Sequence, residues 1–357
     1  MRSFVVSAAG LLMFAATAAS AFPTLSNMVV FGDSLSDNGN LFEATGNTVP
    51  DATYYDQGRF QNGPSYVELL WDDLGFDGDL TPRIYGPSAP QGTNYAVGGA
   101  RSRYSVSDLD ADDLPPALGD PNPPAAFSLR AQAAQYLADI SNSADANALH
   151  VVFSGDNDVI DILNVAQQFD TNRALDYQAQ SVGDLQLVLD DLIGAGARHF
   201  LVPSVLDISV TPEIIALGQN SPGYVDAARS LTLSYNQAVD DILAAYAGMT
   251  DIEIIRTDLF PLLGTLVDNP QAFGFTNGSD PCLVNFFVLP PRTGDVSICN
   301  APDEYIFWDA LHPSAAFHRI LADTLIADTL IAGIPVPGVI FLLVPGLLGI
   351  MYIGARG

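Results

Sequence analysis

The stretch Met28-Val29-Val30-Phe31-Gly32-Asp33-Ser34-Leu35-Ser36-Asp37-Asn38-Gly39-Asn40 decides how this chain is read. Its first four residues are uninterruptedly apolar, as a strand covered on both faces should be. Gly32 then permits a sharp turn, and the pattern predicts that Ser34 opens the following helix at the strand's C-terminal end. A serine so placed becomes a competent nucleophile only if a base takes its proton and a carboxylate orients that base. Far along the chain, Phe307-Trp308-Asp309-Ala310-Leu311-His312-Pro313 offers both groups, with Asp309 three residues before His312.

Other apolar runs share the character of the first. Strands are predicted around Asn94 to Ala96, at Leu149 to Phe153, at His199 to Pro203 and at Ile252 to Arg256. Between them Val182, Leu185, Leu189 and Leu192 recur at helical spacing, as do Tyr235, Val239, Ile242 and Tyr246. A further helix is predicted from about Ala125 to Ile140, and an amphipathic one over Ala315 to Ile331. Strands alternating with helices imply an α/β fold whose parallel sheet is covered on both faces.

The serine block is followed in order by Gly58-Arg59-Phe60-Gln61-Asn62-Gly63-Pro64, Gly92-Thr93-Asn94-Tyr95-Ala96-Val97-Gly98-Gly99-Ala100, Gly155-Asp156-Asn157-Asp158, and finally the Asp-x-x-His block. A lone serine motif would be weak, whereas ordered blocks carry weight. Together they resemble the GDSL family of lipases and esterases, also called SGNH hydrolases. The resemblance implies a three-layer, flavodoxin-like fold with a ligand crevice beyond the C-terminal strand ends. It implies a catalytic set of Ser34, Asp309 and His312. It also implies oxyanion donors in the backbone N–H groups of Ser34 and Gly99 and the side-chain amide of Asn157. Gly99 is preferred to Gly98 by its five-residue offset from Asn94. The implied substrates are carboxylic esters, borne by lipids, acylated small molecules or polysaccharides, and no metal or organic cofactor is called for. No G-x-S-x-G elbow occurs, which separates the chain from the α/β-hydrolases despite the shared order Ser, Asp, His.

Each of these residues has a structural alternative. Ser34 could cap a helix, Asp309 could organise a turn before Pro313, and Asn157 could stabilise a turn, as Asp158 is expected to. His150, His199 and His318 lack motif context and are expected to be structural or surface residues, and Arg59 and Asn62 to belong to the scaffold. Phe286-Phe287-Val288-Leu289 could line an acyl pocket or fill a core. The rival function is a catalytically silent surface or extracellular-matrix protein on the same scaffold, against which the intact set of site residues argues.

Three segments are expected. Residues 1–21 read as a signal peptide, with Arg2, an apolar stretch to Ala18 and the small-residue site Ala19-Ser20-Ala21. Residues 22–333 form the hydrolase domain. Residues 334–357 contain an uncharged run from Ile334 to Ala355 followed by Arg356. The run resembles a PEP-CTERM sorting tail in a Val-Pro variant, which implies an exosortase-like processing enzyme and a secreted or cell-surface protein exported across a Gram-negative inner membrane. A permanent membrane anchor remains the alternative at that length.

With a net charge of −28 and 13 basic residues, all arginine, the chain is ill suited to nucleic acid. Such acidity without lysine suits a salt-rich habitat, where screening relieves self-repulsion. Aspartates 108 to 113 alternate but fail the calcium-loop pattern, because the sixth position is Asp113 instead of glycine. Cys282 and Cys299, the only cysteines, are expected to form a disulfide in an exported chain, and without a nearby histidine they do not suggest zinc.

Overall fold

The computed structural model describes residues 24–83, 92–102, 127–168, 171–286 and 294–332. The leader, the tail, the acidic loop 108–113 and the proline-rich stretch 115–124 lie outside the described residues.

Four parallel strands form the central sheet in the order β1 (Asn27–Gly32), β2 (Ala148–Phe153), β3 (His199–Leu201) and β4 (Glu253–Ile255). The predicted strand around Asn94 is reduced to isolated bridges beside β1. Its backbone still pairs there: Val30 donates to the Thr93 carbonyl, Tyr95 to Val30 and Val97 to Gly32. Regular strand is cut short because Asn94 turns its side chain into the loop after β1, donating to the Ser36 carbonyl and Asn38 Oδ1 and accepting from Ala96 N–H. Counting this segment second in chain order, the sheet reads 2-1-3-4-5, the flavodoxin-like order, whose switch point lies at β1.

Alternate residues of each strand enter opposite cores, which is why the strands read as continuous apolar runs. Val29, Phe31, Ala148 and Val152 pack under α3 (Leu129–Asp139), α4 (Asp156–Gln168), α5 (Thr171–Ala195) and α7 (Tyr224–Leu243). Met28, Val30, Leu149, Val151 and Phe153 pack under α2 (Tyr66–Asp73), α8 (Phe260–Asp268) and α9 (Ala315–Ile331). The result is a three-layer α/β architecture. The periodic residues Val182, Leu185, Leu189 and Leu192 of α5 are all buried in the first core. No helix among the described residues is long and apolar enough to cross a membrane.

Past β4 the chain builds the rim of the site. Strands β5 (Asn277–Pro281) and β8 (Tyr305–Phe307) pair in parallel, and β6 (Leu283–Val284) pairs antiparallel with β7 (Ser297–Ile298). A disulfide joins Cys282 to Cys299 across the β6–β7 pair. Beneath it Tyr55, Leu283, Phe286 and Trp308 form a separate small core. Phe286 fills that core; residues 287–289 lie outside the described residues.

Candidate active site

Ser34 stands just beyond the C-terminal end of β1. A side chain on Gly32 would place its Cβ 2.6 Å from the Phe153 carbonyl, so only glycine lets β1 and β2 close at this end. Gln132 of α3 seals the strand end, accepting from Gly32 N–H at 2.9 Å and donating to its carbonyl at 2.8 Å. Ser34 does not open a regular helix. Residues 33–37 make one turn, closed by Ser36 and Asp37 N–H on the Asp33 carbonyl, and the next helix, α1, runs only from Asn40 to Ala44. The cause is Asp37. Its buried carboxylate collects the N–H groups of Gly39, Asn40, Leu41 and Gly98, diverting the chain and starting α1 afresh. Burial pushes the Asp37 carboxyl up to about 6 in spite of these four donors.

Asp309 and His312 share a tight loop after β8. Trp308 N–H donates to the His312 carbonyl at 2.8 Å, while Asp309 Oδ1 accepts from the backbone N–H of Leu311 at 2.8 Å and of His312 at 2.6 Å. The spacing of three thus has a physical reason: one carboxylate both closes the turn and faces the ring that the turn presents. Asp309 Oδ2 lies 2.8 Å from His312 Nδ1, and His312 Nε2 lies 2.9 Å from Ser34 Oγ. All three side chains are buried. Burial works against charge on His312, but the carboxylates of Asp309, Asp33 and Glu213 outweigh it and the imidazole pKa is raised. Burial likewise opposes ionisation of Asp309, yet His312 and the hydrogen bonds it receives hold its carboxyl below the usual range.

Asn157, at the start of α4, lines the same small cleft as Ser34 and His312. Its Nδ2 is 3.1 Å from the Ala100 carbonyl and 3.3 Å from Asp33 Oδ2. Gly99 adopts φ +76° next to Ala100 but is not itself a wall of the cleft. Gly98 is otherwise engaged, its N–H donated to Asp37 at 2.8 Å. Arg101 fixes the loop by donating to the Gly99 carbonyl and pairing through two nitrogens with Asp161 of α4. Asp158, expected to stabilise a local turn, instead holds the other end of this loop by accepting from Ser102 N–H. The remaining cleft walls are largely aliphatic, including Ile160, Leu206, Ile208, Leu263 and Leu311. At its floor Asp156 is pushed well above the ordinary carboxylate range by burial and then by the neighbouring Asp33, whose own carboxyl burial lifts to about 6. Among the described residues no cluster of three or more His, Cys, Asp or Glu could hold a metal ion.

A serine, an imidazole and a carboxylate in hydrogen-bonded series at the mouth of an apolar cleft suit acyl transfer. Residues 28–325 match the family of GDSL-like lipases and acylhydrolases. The chain belongs to that family. It is therefore a hydrolase acting on ester bonds. A GDSL esterase/lipase of Arabidopsis thaliana is 27% identical over 313 residues, covering 82% of this chain and 84% of its own. The thermolabile hemolysin of Vibrio parahaemolyticus is 25% identical over 309 residues, covering 85% of this chain and 63% of its own. Among solved structures, an α/β hydrolase from the metagenome of Lake Arreo, Spain, covers 86% of this chain and 96% of its own, with TM-score 0.41 and 15% identity.

The Gly58 block serves as scaffold. Arg59 pairs with Glu68 and Asp56, and Asn62 accepts from Ala315 N–H to seat α9 behind the histidine loop. Phe60 packs its ring 5.2 Å from that of His312, and a Cβ on Gly98 would strike the same phenyl ring at 2.2 Å. The buried His318 accepts from Tyr66 N–H at 3.0 Å, and His150 lies within hydrogen-bond reach of Tyr136; both are structural. Two neighbours of the site escaped the sequence reading. Tyr55 donates its hydroxyl to Asp309 Oδ2 at 2.6 Å. Glu213, in the first turn of α6 (Pro212–Gly218), donates its N–H to the Ala310 carbonyl, and its carboxyl is lifted to about 7, first by burial and then by Asp309. Tyr55 lies three residues ahead of the Gly58 block, and Glu213 follows a Thr-Pro helix start; neither signal points to chemistry without the fold.

Proposed function

We propose that this hydrolase is an exported serine esterase that works through an acyl-enzyme on Ser34. The observation that carries the reading is the series Ser34 Oγ, His312 Nε2, His312 Nδ1, Asp309 Oδ2, with links of 2.9 and 2.8 Å. In the first half-reaction Ser34 Oγ bonds to the acyl carbon as its proton passes to His312 Nε2. The carbon–oxygen bond to the leaving alcohol then breaks, and His312 returns that proton to the departing oxygen. In the second half, water gives its proton to His312 and attacks the acyl-enzyme, releasing the acid and restoring Ser34. Asp309 stays ionised and keeps His312 in the tautomer whose Nε2 is free to accept.

The tetrahedral oxyanion requires donors already in place. Ser34 N–H, Gly99 N–H and Asn157 Nδ2 are assigned to it. For Asn157, the long contact with Asp33 Oδ2 is the one that an oxyanion would replace. The aliphatic cleft walls favour an apolar acyl group, so lipid or short-chain acyl esters are the proposed substrates. Export, removal of residues 1–21 and sorting of the tail through an exosortase-like enzyme rest on the sequence of the two ends.

Ser34→Ala and His312→Ala should each lower kcat on p-nitrophenyl butyrate by roughly 10⁵-fold or more, since such residues act as a unit. Asn157→Ala should lower kcat on the order of 10²-fold at nearly constant KM. Turnover near wild type in the serine or histidine variant would refute the mechanism, and a rise in KM alone would make Asn157 a binding residue.

A further inference from the structure

We propose that Tyr55 is a positioning residue for the acid–base pair, holding Asp309 against His312 through a hydrogen bond delivered from a remote part of the chain. The inference rests on the catalytic reading of Ser34, His312 and Asp309. Asp309 has four close donors. Three of them, Leu311 N–H, His312 N–H and His312 Nδ1, belong to the same short loop and would move with it. The fourth is Tyr55 Oη, 254 positions away in sequence, which meets Oδ2 at 2.6 Å. It is the contact that ties the carboxylate to the body of the protein.

The tyrosine is itself held. Its ring is almost fully buried, 5.5 Å from that of Phe286 and 6.4 Å from that of Phe60, within the small core that contains the disulfide-bonded Cys282. A hydroxyl placed in such an apolar cluster would be costly without an acceptor, and Asp309 supplies one. Two rings in contact with each other reach both members of the pair: Tyr55 contacts Asp309, and Phe60 packs on His312. Burial, then the charge of Asp309, drives the phenol's ionisation far upward, so Tyr55 remains a donor throughout the working pH range. Two consequences follow when His312 becomes an imidazolium. The carboxylate does not swing away from the ring, and part of its charge is drawn toward the phenol, which moderates the basicity that Asp309 confers on His312.

Tyr55→Phe in the full chain removes one oxygen and keeps the ring in its core. The expected result is a kcat about tenfold lower, the rate equivalent of losing one hydrogen bond to a charged group, with KM unchanged. The acid limb of kcat/KM should also move to higher pH, because Asp309 then acts on His312 undiluted. In an Asp309→Ala background the same change should have almost no effect on residual turnover, the non-additivity expected of residues acting through one another. A wild-type kcat with an unmoved acid limb, or an equal loss in both backgrounds, would overturn the proposal. Ser34→Ala measured alongside separates the two readings: a serine variant that stays active defeats the mechanism itself, whereas an inactive one beside a wild-type-like Tyr55→Phe defeats only the role of Tyr55.

Discussion

At the scale of single residues, the proposed acid–base chemistry turns on how three carboxylates surround one buried imidazole. Asp309 and Asp33 are fixed by hydrogen bonds, whereas Glu213 is partly buried and held only near neutrality, with its carboxyl lifted to about 7. When ionised, Glu213 raises the pKa of His312. Glu213→Gln should therefore lower that pKa, and the acid limb of kcat/KM measured over pH 4 to 9 should move to lower pH. The stability effect has a definite sign as well. A carboxyl raised in the folded state binds its proton more readily there than in the unfolded chain, so its ionisation disfavours folding above about pH 7 and not below the unfolded value. The glutamine variant should gain thermal stability relative to wild type at pH 8 and show little gain at pH 4. An acid limb that stays fixed would remove Glu213 from the electrostatics of the site.

At the scale of elements, the disulfide-bonded β6–β7 pair lies directly against the histidine loop. Cys282 N–H donates to the Phe307 carbonyl and Leu283 N–H to the Trp308 carbonyl, so this pair extends the backing of the segment that carries Asp309. Replacing both Cys282 and Cys299 with alanine should cost about 3 kcal/mol in urea unfolding, the amount expected for a loop of this length. No change in midpoint or slope would show that the crosslink constrains nothing. The elements most legible in sequence were those with a clear apolar pattern: the continuous runs of β1 and β2 and the helical period on the buried face of α5 lie where that pattern sets them. Long-range hydrogen bonding decided what was less legible. Asn94 trades strand regularity for bonds to the serine turn, and Asp37 gathers four backbone donors that a helix opening at Ser34 would have left to its own turns. Tyr55 could not be read at all, because its meaning depends on a partner 254 positions away. The motif residues Ser34, Asp309 and His312 stood out because the chemistry restricts residue type, and the blocks between them supplied both scaffold and the proposed oxyanion donors Gly99 and Asn157.

At the scale of the whole molecule, α9 closes the second core with Phe317, Leu321 and Leu325, and its last residue, Ile331, is exposed. The described part of the domain thus closes on α9, and we propose that residues 334–357 govern location and not catalysis. A chain of residues 22–333 should be soluble and as active as the processed protein, whereas the chain that keeps its tail should fractionate with membrane until processed. An inactive or aggregated truncation would make the tail part of the folded domain. The same architecture sets the proposed nucleophile and base far apart in the chain, Ser34 after β1 and His312 after β8, and joins them 2.9 Å apart. The most direct test of that junction is reaction of the full chain with a fluorophosphonate, followed by peptide mass mapping and by hydrolysis of p-nitrophenyl butyrate in the same sample. One adduct per chain is expected, on Ser34, with activity falling in proportion to labelling and no adduct in Ser34→Ala. An enzyme that hydrolyses the ester while Ser34 stays unlabelled, or that loses activity through an adduct elsewhere, would contradict it.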